Sequence, residues 1–159
     1  MTRTDIISEH ARQLRQASRG FSWQLRVYYQ DTDAGGIVYH ARYLDFMERA
    51  RMEWLRALGI NLSRLAAEQG RMFVACSVTI DFLKPARLDD MLTVHATPEK
   101  IARTYMDLNQ PIFCGSMQLT RAQVRIACVD AMSLKPCALP AEFAGRRTAH
   151  KTHEPGPSA

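Results

Sequence analysis

The chain has little that would tie it to a membrane, a metal or an oxidising compartment. No apolar run approaches the roughly 20 residues that cross a bilayer. Met1 to Gly20 carries charges throughout and lacks the apolar core of a secretory signal, so a cytoplasmic location is expected. The four cysteines, Cys76, Cys114, Cys128 and Cys137, form no CxxC pair, and neither a zinc site nor a redox motif is expected of them. Cys76 and Cys128 fall in alternating apolar runs and read as buried thiols. There is no Lys/Arg-rich helix and no aromatic RNA-binding strand motif. The net charge of +5 therefore does not point to nucleic acid. Much of it comes from the ends, Arg3, Arg12, Arg15 and Arg19, then Arg146, Arg147 and Lys151. An anionic small-molecule partner is expected for part of the rest. Internal repeats are absent too.

What is present is enough for one domain. A chain of 159 residues with 47% hydrophobic content can bury a substantial core. Residues 4–18 can be written as a short helix with Ile6, Ile7 and Leu14 on one side. Phe21 to Tyr29 alternates with period two, predicting a half-buried strand whose last inward residue is Tyr29. From Ala41 to Leu58, apolar residues recur at spacings of three and four (Tyr43, Met47, Ala50, Trp54, Leu58), the pattern of a long amphipathic helix. Asp45–Arg49 and Glu53–Arg56 are candidate pairs on its polar side, and Gly59 supplies a left-handed stop. Asn61 or Ser63 can cap a second, short helix ending near Gly70.

The remainder reads as strands. Val74, Cys76, Val78, Ile80 and Phe82 share one face of a strand from about Met72 to Leu83. Leu92, Val94 and Ala96 mark another, broken by Pro98-Glu99-Lys100. Tyr105 to Pro111 is a weaker strand, and Ala122, Val124, Ile126 and Cys128 mark the last. One strand, a long helix and then four strands suggest an α+β fold with an antiparallel sheet. The chain divides into an N-terminal extension (1–20), a domain (21–143) and a polar, basic, disordered tail (144–159). One helix cannot cover every edge of such a sheet, so a homo-oligomer is expected.

The chemistry concentrates between the first strand and the long helix, in Tyr28-Tyr29-Gln30-Asp31-Thr32-Asp33-Ala34-Gly35-Gly36-Ile37-Val38-Tyr39-His40. Two carboxylates, two adjacent glycines and a histidine exceed what a connection requires. Glycine permits close backbone approach, and a helix start offers unpaired N–H groups at a positive dipole end. A carboxylate beside such an end can serve hydrolysis of a bound carbonyl. The same aspartates are also good turn-formers next to glycine, and of the two Asp31 reads as the structural one.

The run from Arg26 through Thr32-Asp33-Ala34-Gly35-Gly36-Ile37-Val38-Tyr39-His40 to Tyr43 resembles the signature of the 4-hydroxybenzoyl-CoA thioesterase family of hotdog-fold enzymes. Tyr43 to Arg51, Lys84 to Leu92 and Leu134 to Pro140 are similar to its Tol-Pal-associated, YbgC-type acyl-CoA thioesterase branch. The resemblance runs from about Ser22 to Pro140. It implies a curved antiparallel five-stranded sheet wrapped around one long helix, in a homodimer or homotetramer. It implies hydrolysis of acyl-CoA thioesters with no metal and no redox cofactor. The catalytic aspartate maps to Asp33, with Tyr29 and His40 lining the site and the N–H near His40 polarising the carbonyl. Gly35, Gly36 and Tyr39 would contact the acyl group. Lys100 and Arg103, beside the turn after the third strand, would meet the CoA phosphates. Glu48 is a further carboxylate near this set, read as an ion-pairing residue. A hotdog dehydratase or hydratase using Asp33 and His40 as an acid–base pair is the rival reading, and a non-catalytic acyl-CoA-binding protein the third.

Overall fold

The computed structural model describes residues 19–146. The helix expected over 4–18 and all but the first residues of the expected tail lie outside them. Among the described residues six strands form one antiparallel sheet. They are β1 (Phe21–Arg26), β2 (Arg71–Phe82), β3 (Met91–Ile101), β4 (Tyr105–Asn109), β5 (Ile112–Cys114) and β6 (Met117–Asp130). The order is β1-β3-β4-β6-β2, with β5 also between β3 and β6, so the sheet has five positions and β4 and β5 share one. Gln110-Pro111 divides them, because proline has no N–H for the ladder. Helix α1 (Arg42–Ala57) follows β1 and a 3-10 turn at Tyr29–Asp31, and the short α2 (Leu62–Gln69) leads into β2.

The face of α1 carrying Tyr43, Phe46, Met47, Ala50, Trp54 and Leu55 is buried. It packs in one core with Leu92, Val94 and Ala96 of β3, Met106 and Leu108 of β4, and Val124 and Ile126 of β6. Each large side chain buried this fully contributes about 1.5–3 kcal/mol. That packing, more than helix propensity, holds α1 in place. Gly59 at φ +84 ends the helix, the left-handed stop expected of it. The Asn61 side chain accepts the Arg64 N–H at 3.0 Å and starts α2, and Gly70 at φ +59 closes it. Glu53 pairs with Arg56 as expected, but Asp45 pairs with Arg42 at 3.0 Å in place of Arg49.

Two strands depart from simple alternation. In β2 the register against β6 shifts between Ala75 and Ser77, leaving Cys76 as an inserted residue. The insertion moves Val74 to the opposite face from Val78, Ile80 and Phe82, so these residues do not share the single face their spacing suggested. Cys76 is exposed, not buried. In β3 a second shift, between Pro98 and Lys100, absorbs the proline, and the strand continues to Ile101 where a break was expected.

Below the sheet's middle lies a buried polar contact that the sequence does not announce. Gln110 is fully buried at the β4–β5 junction, and its amide donates to the carbonyls of Met47 and His95 at 3.2 and 3.3 Å. Its Oε1 accepts from Arg51 Nη1 at 2.9 Å. Burial pushes the Arg51 guanidinium below its ordinary pKa, opposed by the charge of Glu48. Arg51 thus ties α1 to the sheet.

Candidate active site

The Asp33 segment is a tight hairpin. Gly36 N–H donates to Asp33 O and Asp33 N–H to Ile37 O, both at 3.0 Å, and Thr32 bridges Val38. Asp33 Oδ1 accepts the Gly35 N–H at 2.8 Å, so this carboxylate does form its own turn. Its side chain is nevertheless exposed, and Oδ2 has no protein partner among the described residues. The two glycines serve different needs. Gly36 stands at φ +75, where an L side chain is strained, and a Cβ at Gly35 would lie 3.0 Å from Asp33 Oδ1.

Asp31 holds this hairpin in place. It is only 3% exposed, its Oδ2 accepts the Tyr28 N–H and its carbonyl accepts the Tyr39 N–H, both at 2.9 Å. The two carboxylates therefore have separate jobs, Asp31 inside the scaffold and Asp33 on the surface. Val38 N–H donates to Ala86 O and Ile37 bridges Arg87, which fixes the hairpin to the loop before β3.

His40 lies where the hairpin becomes the helix. No side chain caps α1, whose N-cap is Ala41. Among the described residues neither the His40 N–H nor the Ala41 N–H meets an acceptor. Helix starts usually recruit Ser, Thr, Asp or Asn for these donors. Here both lie at the positive end of the helix dipole without such a cap.

The His40 ring is 4.5 Å from Tyr39 and 6.5 Å from Phe82. It lines a largely apolar hollow of about 390 Å³ with Ile37, Val38, Tyr43, Phe82, Leu83, Lys84 and Pro85. The Tyr43 hydroxyl accepts the Ala86 N–H at 3.0 Å. Burial raises its pKa above the ordinary phenol value, so it stays protonated and serves as a strut, not a base.

Not every expected residue gathers here. Tyr29 does not end a strand pointing inward: β1 stops at Arg26, and Tyr29 opens the 3-10 turn with 81% of its surface exposed. The chain leaves extended geometry because Asp31 draws its carboxylate back onto the Tyr28 N–H. Lys100 lies on the sheet face away from α1, its ammonium 5.2 Å from the Tyr105 ring centroid. Arg103 is in the β3–β4 turn. Both are at the far end of β3 from the Asp33 hairpin, and the eleven residues of that strand span roughly 33 Å. One chain alone therefore does not bring them to Asp33. Lys84, by contrast, lines the His40 hollow; a lysine ahead of a strand-ending proline gave no sign of that.

The model of the thioesterase superfamily matches residues 35–120. The chain is 45% identical over 123 residues to the acyl-CoA thioesterase YbgC of Haemophilus influenzae, covering 77% of this chain and 90% of that one.

The chain belongs to the thioesterase superfamily.

Among solved structures, the probable thioesterase of Bartonella henselae is 39% identical with a TM-score of 0.73, covering 76% of this chain and 99% of that one. A 1,4-dihydroxy-2-naphthoyl-CoA thioesterase from Synechocystis is 25% identical, also at TM-score 0.73, covering 79% of this chain and 93% of that one. The hotdog architecture read from the sequence is thus that of this thioesterase and its structural relatives.

Proposed function

We propose that this thioesterase hydrolyses acyl-CoA thioesters, with Asp33 supplying the reacting carboxylate and the start of α1 binding the carbonyl oxygen. The carrying observation is the pair of unaccepted N–H groups at His40 and Ala41, next to the Asp33 hairpin. Preorganised donors of this kind are worth on the order of 10²–10³ in rate each. With the carbonyl polarised, Asp33 either attacks it directly or takes a proton from the attacking water. The C–S bond then breaks, the CoA thiolate leaves and takes a proton, and water ends in the free acid. His40 orients water or substrate, Gly35 and Gly36 let the backbone approach the acyl group, and Tyr39 borders it. Tyr29, on the surface beside the hairpin, contacts substrate there. The YbgC relatives carry acyl-CoA in their names, which favours this reading over a dehydratase. Release of free thiol from a panel of acyl-CoAs tests it; a chain that releases none is not this enzyme.

The site also calls for a second protomer. Phe82 is 51% and Val78 39% exposed on the core-side face of β2, an edge strand, while Leu44 and Met52 are exposed on α1. Antiparallel pairing of two β2 edges would cover this apolar surface. It would also set the start of one β2 beside the end of the other. Such pairing would bring Lys100 and Arg103 of one protomer toward the Asp33 end of its partner. The expected result is a dimer, or a tetramer of such dimers, by light scattering at micromolar concentration. A stable, fully active monomer would contradict it. The cytoplasmic location and Tol-Pal association implied by the resemblance belong to this same reading.

Phosphate contacts lie far from the bond that breaks and act mainly as uniform binding. Lys100→Ala with Arg103→Ala is therefore expected to raise KM for acyl-CoA roughly tenfold, with kcat little changed. A short acyl thioester without the nucleotide should not register the change. Equal losses on both substrates would assign the two residues to the fold. No loss on either would pass the role to other cations, Lys84 first.

A further inference from the structure

Away from the site, the topology joins two thiols that stand nine positions apart in sequence. Cys128 is buried in β6, and Cys137 is half-buried in the segment that follows it. After β6 the chain reverses through a turn in which Asp130 Oδ1 accepts the N–H groups of Met132 and Ser133, at 3.1 and 2.8 Å. It then returns beside β6: Val129 bridges Pro136, and Cys137 N–H donates to Cys128 O at 2.9 Å. Residues opposed across antiparallel segments have Cα atoms roughly 4.5–5.5 Å apart, inside the range that a disulfide spans. The two Sγ atoms are already 3.6 Å apart. By contrast, Cys76 Sγ contacts the Val74 carbonyl, at 3.8 Å.

We propose that Cys128 and Cys137 form a dithiol that a hydroperoxide oxidant converts to a disulfide, fastening residues 135–143 to β6. The segment it would lock already holds several parts together. Leu139 N–H donates to Arg103 O at 2.9 Å, and Arg71 Nη1 donates to Ala138 O at 3.1 Å. Phe143 is buried with its ring 6.0 Å from that of Trp54.

The roles of the two thiols follow from their surroundings. Burial, together with the neighbouring Cys137, pushes the Cys128 thiol up to about 12, so it is protonated at neutral pH. Cys137, the more open of the two, takes the first step. Its sulfur attacks one peroxide oxygen, the O–O bond breaks, one water leaves, and Cys137 becomes a sulfenic acid. The Cys128 sulfur then attacks the Cys137 sulfur. The S–O bond breaks, and the departing hydroxide takes the Cys128 proton as a second water. Two thiols and one hydrogen peroxide give one disulfide and two waters.

The full-length protein, treated with hydrogen peroxide, alkylated and digested with trypsin, tests this. The peptide 126–146 holds both thiols, since the bond before Pro136 resists trypsin. It is expected two hydrogens lighter and unalkylated, returning to the dithiol with dithiothreitol. The oxidised protein should melt on the order of 5 °C higher than the reduced one. Cys137→Ser should lose both responses, and Cys76→Ser with Cys114→Ser should keep them. The proposal is overturned if both thiols remain alkylatable once exposed Cys76 is oxidised. A sulfinic acid at Cys137, a bridge to Cys76 or Cys114, or an unchanged Tm would overturn it as well.

Discussion

Asp33→Asn is expected to lower kcat on acyl-CoA by roughly 10²–10⁴-fold while leaving the fold intact. The substitution separates the two things this side chain does. As a turn-former, Asp33 uses Oδ1 to accept the Gly35 N–H, and an asparagine carbonyl accepts the same bond. As an attacking or proton-accepting group it needs the negative charge, which the amide lacks. A near-parental Tm with collapsed turnover would therefore locate the chemistry at Asp33. Near-parental turnover would remove it from the mechanism and leave only a turn residue. Asp31→Asn should behave differently, because Asp31 is buried and binds the Tyr28 N–H. Its effect should appear mainly in stability.

Trp54→Ala should be the most damaging single change to the fold among those considered. Trp54 is 1% exposed on the inner face of α1 and meets Phe143 with ring centroids 6.0 Å apart. Truncating a buried tryptophan costs about 3–5 kcal/mol. For a domain of this size that lowers Tm on the order of 10 °C. Calorimetry measures it directly. A drop of only a degree or two would mean that the helix is loosely packed. Because Phe143 shares the contact, Trp54→Ala and Phe143→Ala should be non-additive. At temperatures well below the transition the surviving folded enzyme should keep its kcat, since Trp54 lies about four turns along α1 from His40.

The segment from Asp31 to His40 stood out in the sequence because its polar residues are contiguous, although its hairpin form did not. Asp33, Gly35, Gly36 and His40 lie within one short stretch, and the positive φ that adjacent glycines allow is taken up at Gly36. The helix was legible for a similar reason, its period repeating over four turns. Features requiring two distant segments were not. Cys76 looked buried because alternation was extended through a bulge, and a bulge shifts the face of everything on one side of it. Pro98 looked like a strand end because proline lacks an N–H, yet β3 absorbs it in its own bulge. Tyr29 was carried inward by a period that Asp31 cuts short. Gln110 and Arg51 are 59 positions apart, and nothing local marks Gln110 as buried or the two as partners. The same is true of Lys100 and Arg103, whose distance from Asp33 in one chain follows only from the direction of β3.

The most direct test of the account is a simultaneous measurement of CoA thiol and free acid as the purified protein acts on acyl-CoA. Hydrolysis at the Asp33 site requires the two to appear in equal amounts, and requires Asp33→Asn to suppress both together. An acyl-CoA that is hydrated or dehydrated along its chain without releasing thiol would contradict it, as would one that is bound and returned unchanged.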